Sequence, residues 1–223
     1  MNIKSLLSIA LIAIFSVSTA YADKPVGISK GDGPYSLEIG ISVNVDGHKI
    51  MRNQNNKNTV NPAFGKTSRP CPPFCIQPIQ LRPGIETIGE QEIIHYAVMM
   101  SKGQKMPDGS EIMVIDSRTP DWVAKGMIPG AVNVPWTHLS EAKGADPISI
   151  AEIMTEKFGA YEQNGLFYFD KAKTLVMYCN GMWCGQSPNN IKSLLKYGYP
   201  PHKIKWYRGG MQNWEILGFN TVK

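Results

Sequence analysis

Thr174-Leu-Val-Met-Tyr-Cys179, then Asn180-Gly-Met-Trp-Cys-Gly-Gln186, then Ser187-Pro188 opening Asn189-Asn-Ile-Lys-Ser-Leu-Leu-Lys196, is the stretch whose reading decides the fold. A short apolar run containing Val and Tyr reads as a buried strand. Ser187 as N-cap with Pro188 at the first helical position marks a helix start. The chain thus carries a thiol from a strand end into a tight loop that feeds a helix N-terminus. Loop N–H groups and the positive end of the helix dipole converge near Cys179, an anion site that favours the thiolate, the nucleophilic form of sulfur.

Outward from this stretch, strands and helices alternate from Ile85 onward. Strands are expected at Ile112 to Ile115, Ala131 to Val134, Thr174 to Cys179 and Ile204 to Tyr207. Helices are expected near Pro147 to Phe158, Pro188 to Tyr197 and Met211 to Leu217. Thr87-Ile-Gly-Glu90 has the form of a capping box, and Ile88, Ile93, Ile94, Ala97 and Val98 form a helical apolar stripe after it. Such alternation predicts an α/β fold with a parallel sheet flanked by helices, and ligands in these sheets bind outside the carboxyl ends of the strands. Cys179 ends a strand there.

Several ordered motifs resemble rhodanese-like domains. Leu175 to Cys179 with its loop, Leu194-Leu-Lys-Tyr-Gly-Tyr199, Ile204-Lys-Trp-Tyr-Arg-Gly-Gly210 and Trp214 are similar to the family's second half. Val114-Ile-Asp-Ser-Arg118 and Gly126-Met-Ile-Pro-Gly-Ala-Val-Asn-Val-Pro135 are similar to its first-half signature. The likeness covers roughly residues 85 to 222, and motifs in order are far more specific than any one alone. It implies a sulfurtransferase whose loop cysteine, here Cys179, takes up a sulfane sulfur as a persulfide and passes it to a nucleophile. No cofactor is implied. The partners implied are a small sulfur-containing anion and a thiol acceptor, with a protein thiol as the other acceptor the resemblance allows.

The loop residues Asn180, Gly181, Met182, Trp183, Cys184, Gly185 and Gln186 form the expected site around Cys179, with Gly181 and Gly185 allowing the N–H groups to turn inward. Met182 and Trp183 read as an apolar rim, and Ser187 as a helix cap rather than a catalyst. Three roles are open to Cys184: resolving thiol, disulfide partner or wall residue. The resemblance puts an acid and an arginine near the site, here Asp116 and Arg118, with Arg208 of similar status; a structural ion pair is the alternative for the first two. The chain also departs from the family. Asn180 to Gln186 carries no charge where family loops often hold a cation for the donor anion, the loop is about two residues longer, and Met127 stands where the family usually has histidine. These departures speak against thiosulfate in particular, and the donor stays open. The longer loop raises phosphatases of the same fold, which hold phosphate with a bidentate arginine at the loop's end. No arginine lies between Cys179 and Lys192, which argues against that chemistry. Two other functions stay open beside sulfur transfer: a redox protein cycling Cys179 and Cys184 between dithiol and disulfide, and a non-catalytic binding module.

The N-terminal third has a different texture. Lys4, the apolar run Leu6 to Phe15 and Ala20-Tyr-Ala22 have the form of a secretory signal peptide, with cleavage expected before Asp23. The run is short of the ~20 residues of a membrane span. Export to a periplasm or the exterior, with no membrane attachment after cleavage, is the expectation. The three segments are then a signal peptide at 1–22, a β-rich extension at 23–84 and the rhodanese-like domain at 85–223. Within the extension, the period-two alternation of Ser36 to Val45, followed by Asp46-Gly47 and Lys49 to Arg52, predicts a β-hairpin. Arg69-Pro-Cys-Pro-Pro-Phe-Cys75 cannot be helical and reads as a constrained strap.

All four cysteines, Cys71, Cys75, Cys179 and Cys184, lie beyond the leader, and an even count in an exported chain raises the expectation of disulfides. Cys71 and Cys75 are expected to bridge each other or elsewhere in the extension. Their C-x3-C spacing, the C-x4-C of the loop and the lack of a nearby histidine speak against zinc, and no metal is expected. The formal charge of +5 is spread without a polybasic block, so nucleic acid is not implied.

Overall fold

A computed structural model describes residues 43–223. The expected leader and the first part of the hairpin, Ser36 to Ser42, lie outside the described residues. Strands β1 (Val43–Val45) and β2 (His48–Ile50) pair antiparallel with Val43 opposite Ile50. Asp46 and Gly47 between them take φ of 47° and 78°, the double positive φ of a type I′ turn. Then come β3 (Glu86–Ile88), α1 (Glu90–Ser101), β4 (Ile112–Asp116), α2 (Pro120–Val123) and β5 (Val132–Asn133). The remainder is α3 (Pro147–Glu152), β6 (Tyr161–Gln163), β7 (Leu166–Tyr168), β8 (Thr174–Tyr178), α4 (Gln186–Lys196), β9 (Ile204–Tyr207) and α5 (Gly210–Ile216).

Five of these strands form one parallel sheet in the order β3-β9-β8-β4-β5. Every residue of the central β8 is buried, as expected for a strand covered on both faces. Its side chains alternate between two apolar layers. Val176 and Tyr178 pack with Ile93, Ile94, Ala97 and Val98 of α1 and with Trp214 of α5; Leu175 and Met177 pack with Ile150 of α3 and Ile191 and Leu194 of α4. Val45, Ile50 and Phe64 join the first layer, so the extension contributes to the sheet's own core. The contact is tight at Gly130: with φ of +82°, a Cβ there would lie 2.4 Å from Val45 Cγ1. This is the α/β architecture expected from the sequence, a parallel sheet flanked by helices, with an N-terminal β element.

The capping box expected at Thr87 to Glu90 lies one element too early. Thr87 and Ile88 belong to the edge strand β3, Thr87 lying opposite Trp206. The helix starts at Glu90, and its N-terminal lock is the Gly89 N–H donating to Glu92 Oε2 at 3.0 Å. Pairing with β9 satisfies the backbone here and buries Ile88, which outweighs the local helix signal. The helix expected over Pro147 to Phe158 is α only to Glu152 and continues as one π-helical turn, Ile153–Lys157.

Cys71 and Cys75 form a local disulfide with Cα atoms 4.7 Å apart. The strap they bridge runs across the carboxyl edge of the sheet. Arg69 lies by Trp122, in the helix after β4, and Gln77 is held by Arg208, just after β9. Cys179, after β8, lies between those two strands in the sheet order.

Candidate active site

Cys179 follows β8 directly and is 2% exposed. The indole N–H of Trp206, on the neighbouring β9, donates to Ser187 Oγ at 3.1 Å, and the Ser187 hydroxyl donates to Cys179 Sγ at 3.1 Å. An indole nitrogen can only donate, so it occupies an oxygen lone pair and leaves the serine proton directed at sulfur. Ser187 and Trp206 are buried, which shields both bonds from water. The expectation for Ser187 as N-cap is corrected here. Helix α4 begins at Gln186 with Gly185 at its N-cap, Ser187 is already in the first turn, and its hydroxyl serves the thiol instead of the helix end. Pro188 fits because first-turn N–H groups have no intrahelical partner.

Burial alone would raise the Cys179 pKa. Hydrogen bonds from the Cys184 side chain and the Ser187 hydroxyl, with the backbone N–H groups of Ser187 and Gly181, outweigh burial and bring it down to about 7. Cys184 moves the other way, far up, because its proton serves Cys179, it is buried, and a second thiolate would be repelled by the first. Of the two loop thiols, Cys179 is therefore the one that ionises first and Cys184 the one that keeps its proton.

The loop backbone is fixed from beneath by α5. Met211 N–H donates to Cys179 O and Gln212 N–H to Asn180 O, both at 2.9 Å. This approach requires Gly210, whose φ is +57° and where a Cβ would lie 2.3 Å from Cys179 O. Gln212 Oε1 also accepts from the Trp183 indole at 2.8 Å.

Asp116 and Arg118 form a fully buried ion pair, with Nη2 2.6 Å from Oδ2 and Nε 2.9 Å from Oδ1. The guanidinium also donates to Gly126 O at 2.6 Å, Trp122 O at 3.2 Å and Asn180 Oδ1 at 3.4 Å. Burial works against the Arg118 charge, and the Asp116 carboxylate more than restores it, so its pKa moves up. All its polar capacity is spent on the protein, so it frames the loop and is not free to grip a donor. Arg208 is turned to the strap: its Nε and Nη2 donate to Gln77 O at 3.1 and 2.8 Å, and Gln77 N–H donates to Met182 O at 2.8 Å. Met127 makes a two-bond backbone bridge with Val222 and packs its side chain against the first apolar layer. Among the described residues, no group of three or more His, Cys, Asp or Glu side chains is placed to hold a metal.

Two residues near the loop went unread in sequence: Trp206, hidden in an ordinary buried strand, and Arg69, in the strap. A long-range contact leaves no local pattern, and only the strand order brings β9 beside β8.

With an apparent pKa near 7, nucleophilic reactivity of Cys179 should rise about tenfold between pH 6 and pH 8, following the thiolate fraction. Ser187→Ala removes the hydroxyl donor, and a hydrogen bond to a charged group is worth about 1.5–3 kcal/mol. The alkylation profile of Cys179 should therefore move up by about 1–2 pH units, slowing reaction about 5- to 50-fold at pH 7 and at most about twofold at pH 9. An unmoved profile would show that the hydroxyl does not support the thiolate.

The rhodanese-like domain family matches residues 100–217, more than half of the chain. A sulfurtransferase of Allochromatium vinosum is 28% identical over 122 residues, covering 55% of this chain and 89% of its own. Among solved structures, a human single-domain sulfurtransferase is 20% identical, with a TM-score of 0.33, covering 57% of this chain and 93% of that one. A Rhodopseudomonas palustris protein of unknown function, described as a possible tyrosine phosphatase, is 22% identical with a TM-score of 0.41, covering 64% and 88%.

Proposed function

The chain belongs to the rhodanese-like domain family, a family of sulfurtransferases, and from that premise we propose that it is an exported enzyme moving sulfane sulfur through a persulfide on Cys179. The observation that carries this reading is the Trp206–Ser187 relay aimed at the buried Cys179 sulfur, which favours a thiolate at neutral pH. The thiolate attacks the outer sulfur of the donor. The donor's S–S bond breaks, its electron pair leaves with the departing fragment, and a Cys179 persulfide forms. A thiolate acceptor, from a small molecule or a protein, then attacks the outer sulfur and the Cys179 thiolate leaves. Loop N–H groups at the N-terminus of α4 stabilise the anion at each stage.

Intact mass tests this directly. Protein treated with a sulfane donor should gain about 32 Da, one sulfur atom, and lose it to cyanide, which leaves as thiocyanate. A mass that never changes would reject the persulfide.

The contact between the two loop thiols favours a second reading, in which Cys179 and Cys184 reduce a partner disulfide and close one of their own. Export rests on the leader-like N-terminus and is in keeping with the Cys71–Cys75 bridge, since such bonds persist in oxidising compartments. N-terminal sequencing of protein from its native compartment should begin at Asp23. Retention of Met1 with the membrane fraction would reject removal of residues 1–22 and point to an uncleaved anchor.

A further inference from the structure

The loop around Cys179 brings no charge of its own, and Arg118 is committed to Asp116 and three neighbouring oxygens. A further cation in contact with the loop comes from the strap. Arg69 stacks its guanidinium 3.7 Å from the centroid of the Trp183 indole, a loop residue, and lies 6.0 Å from that of Trp122. It therefore stands between the ends of β4 and β8, where ligands bind in such sheets. Its Nε is buried and has no hydrogen-bond partner, and no carboxylate pairs with it, among the described residues. An unspent planar donor on an aromatic bed suits an oxyanion, whose oxygens a guanidinium can meet in pairs. Lys125 adds a second positive charge, 3.9 Å from the Trp122 ring centroid.

Resting on the sulfurtransferase reading above, we propose that Arg69 is a specificity-determining residue selecting donors in which the sulfane sulfur is attached to an oxyanion, with thiosulfate as the simplest. The strap supplies by tertiary contact the charge that the loop lacks in sequence. The Cys71–Cys75 bridge and the Arg208–Gln77–Met182 chain hold the strap over the loop, so the extension is part of the site. In the reaction the Cys179 thiolate takes the outer sulfur of thiosulfate, and sulfite leaves with the electron pair of the broken S–S bond. Arg69 stabilises the negative charge on the departing oxygens.

The test compares persulfide loading of the full chain by thiosulfate and by a neutral dialkyl trisulfide. Arg69→Gln should lower the thiosulfate-to-trisulfide ratio about tenfold or more, mainly through KM, and Arg69→Lys should restore part of it. An unchanged ratio, whether both rates fall together or neither does, would overturn the proposal. So would a native protein that loads from trisulfide and not from thiosulfate. Thiosulfate binding to Cys179→Ser, followed by indole fluorescence, reads the anion site without any sulfur transfer. Adding Arg69→Gln should weaken that binding about tenfold; equal affinities would overturn the proposal. If no donor loads the native protein, the sulfurtransferase reading fails, and the binding comparison still decides the role of Arg69.

Discussion

Cys179→Ser is expected to bring sulfur loading below detection, a loss of at least about 10³-fold, while the protein stays folded. A serine hydroxyl is no nucleophile toward sulfane sulfur at neutral pH and cannot store it as a persulfide. The exchange of oxygen for sulfur is sterically small, and the new hydroxyl keeps its neighbours, since it can donate to Cys184 O and accept from Ser187. Cys184→Ser separates the two enzymatic readings. It keeps an O–H donor beside Cys179, so a sulfurtransferase should retain most of its loading rate and resist oxidative trapping as a loop disulfide. A dithiol oxidoreductase should lose its reaction, because the thiolate that expels the mixed disulfide has gone. Intact mass with and without cyanide, and turnover of a disulfide substrate, read the two outcomes. Full transfer by Cys179→Ser together with loss in Cys184→Ser would show that the nucleophile is the other thiol.

How far this site was legible in sequence depends on the range of the interactions. The strand delivering Cys179, the loop and the helix after it are contiguous, and a continuous apolar run followed by a glycine-bearing turn carries its own signal. The hairpin turn at Asp46-Gly47 was equally local. The second hairpin, Tyr161–Gln163 with Leu166–Tyr168, is absent from the sequence expectations although Asn164-Gly165 between its strands is a strong turn signal, because strands of three residues carry too little periodicity. Thr87 was misread because its capping signal competed with pairing to β9, a partner more than a hundred residues away. Ser187 was misread for a related reason. The same residue type caps helices and donates to thiolates, and only Trp206 on a neighbouring strand decides between the roles. Arg69 illustrates the limit most clearly: its position in a proline-rich strap gives no hint that it reaches Trp183.

Asp116→Ala should be the most destabilising single substitution at the site, by about 3–5 kcal/mol. The pair it breaks is wholly buried, so the Arg118 charge would remain without its counter-ion in a region water does not reach. Three hydrogen bonds from the guanidinium, at 2.6, 2.9 and 3.1 Å, would be lost at once, and the Arg118 backbone N–H would lose its acceptor, Asp116 Oδ1 at 3.0 Å. In a domain of this size the melting temperature should fall by roughly 10 °C. Asp116→Asn keeps one acceptor oxygen and should cost less, which separates loss of charge from loss of shape. Because Arg118 also holds Gly126 O, Trp122 O and Asn180 Oδ1, the damage should reach the loop. Reaction of Cys179 with alkylating agents should then change even well below the melting transition. Chemical denaturation and thermal melts measure the first effect, and alkylation kinetics the second. A loss under about 1 kcal/mol in Asp116→Ala would mean that water reaches Arg118, and that the ion pair does not brace the active-site loop as its geometry implies.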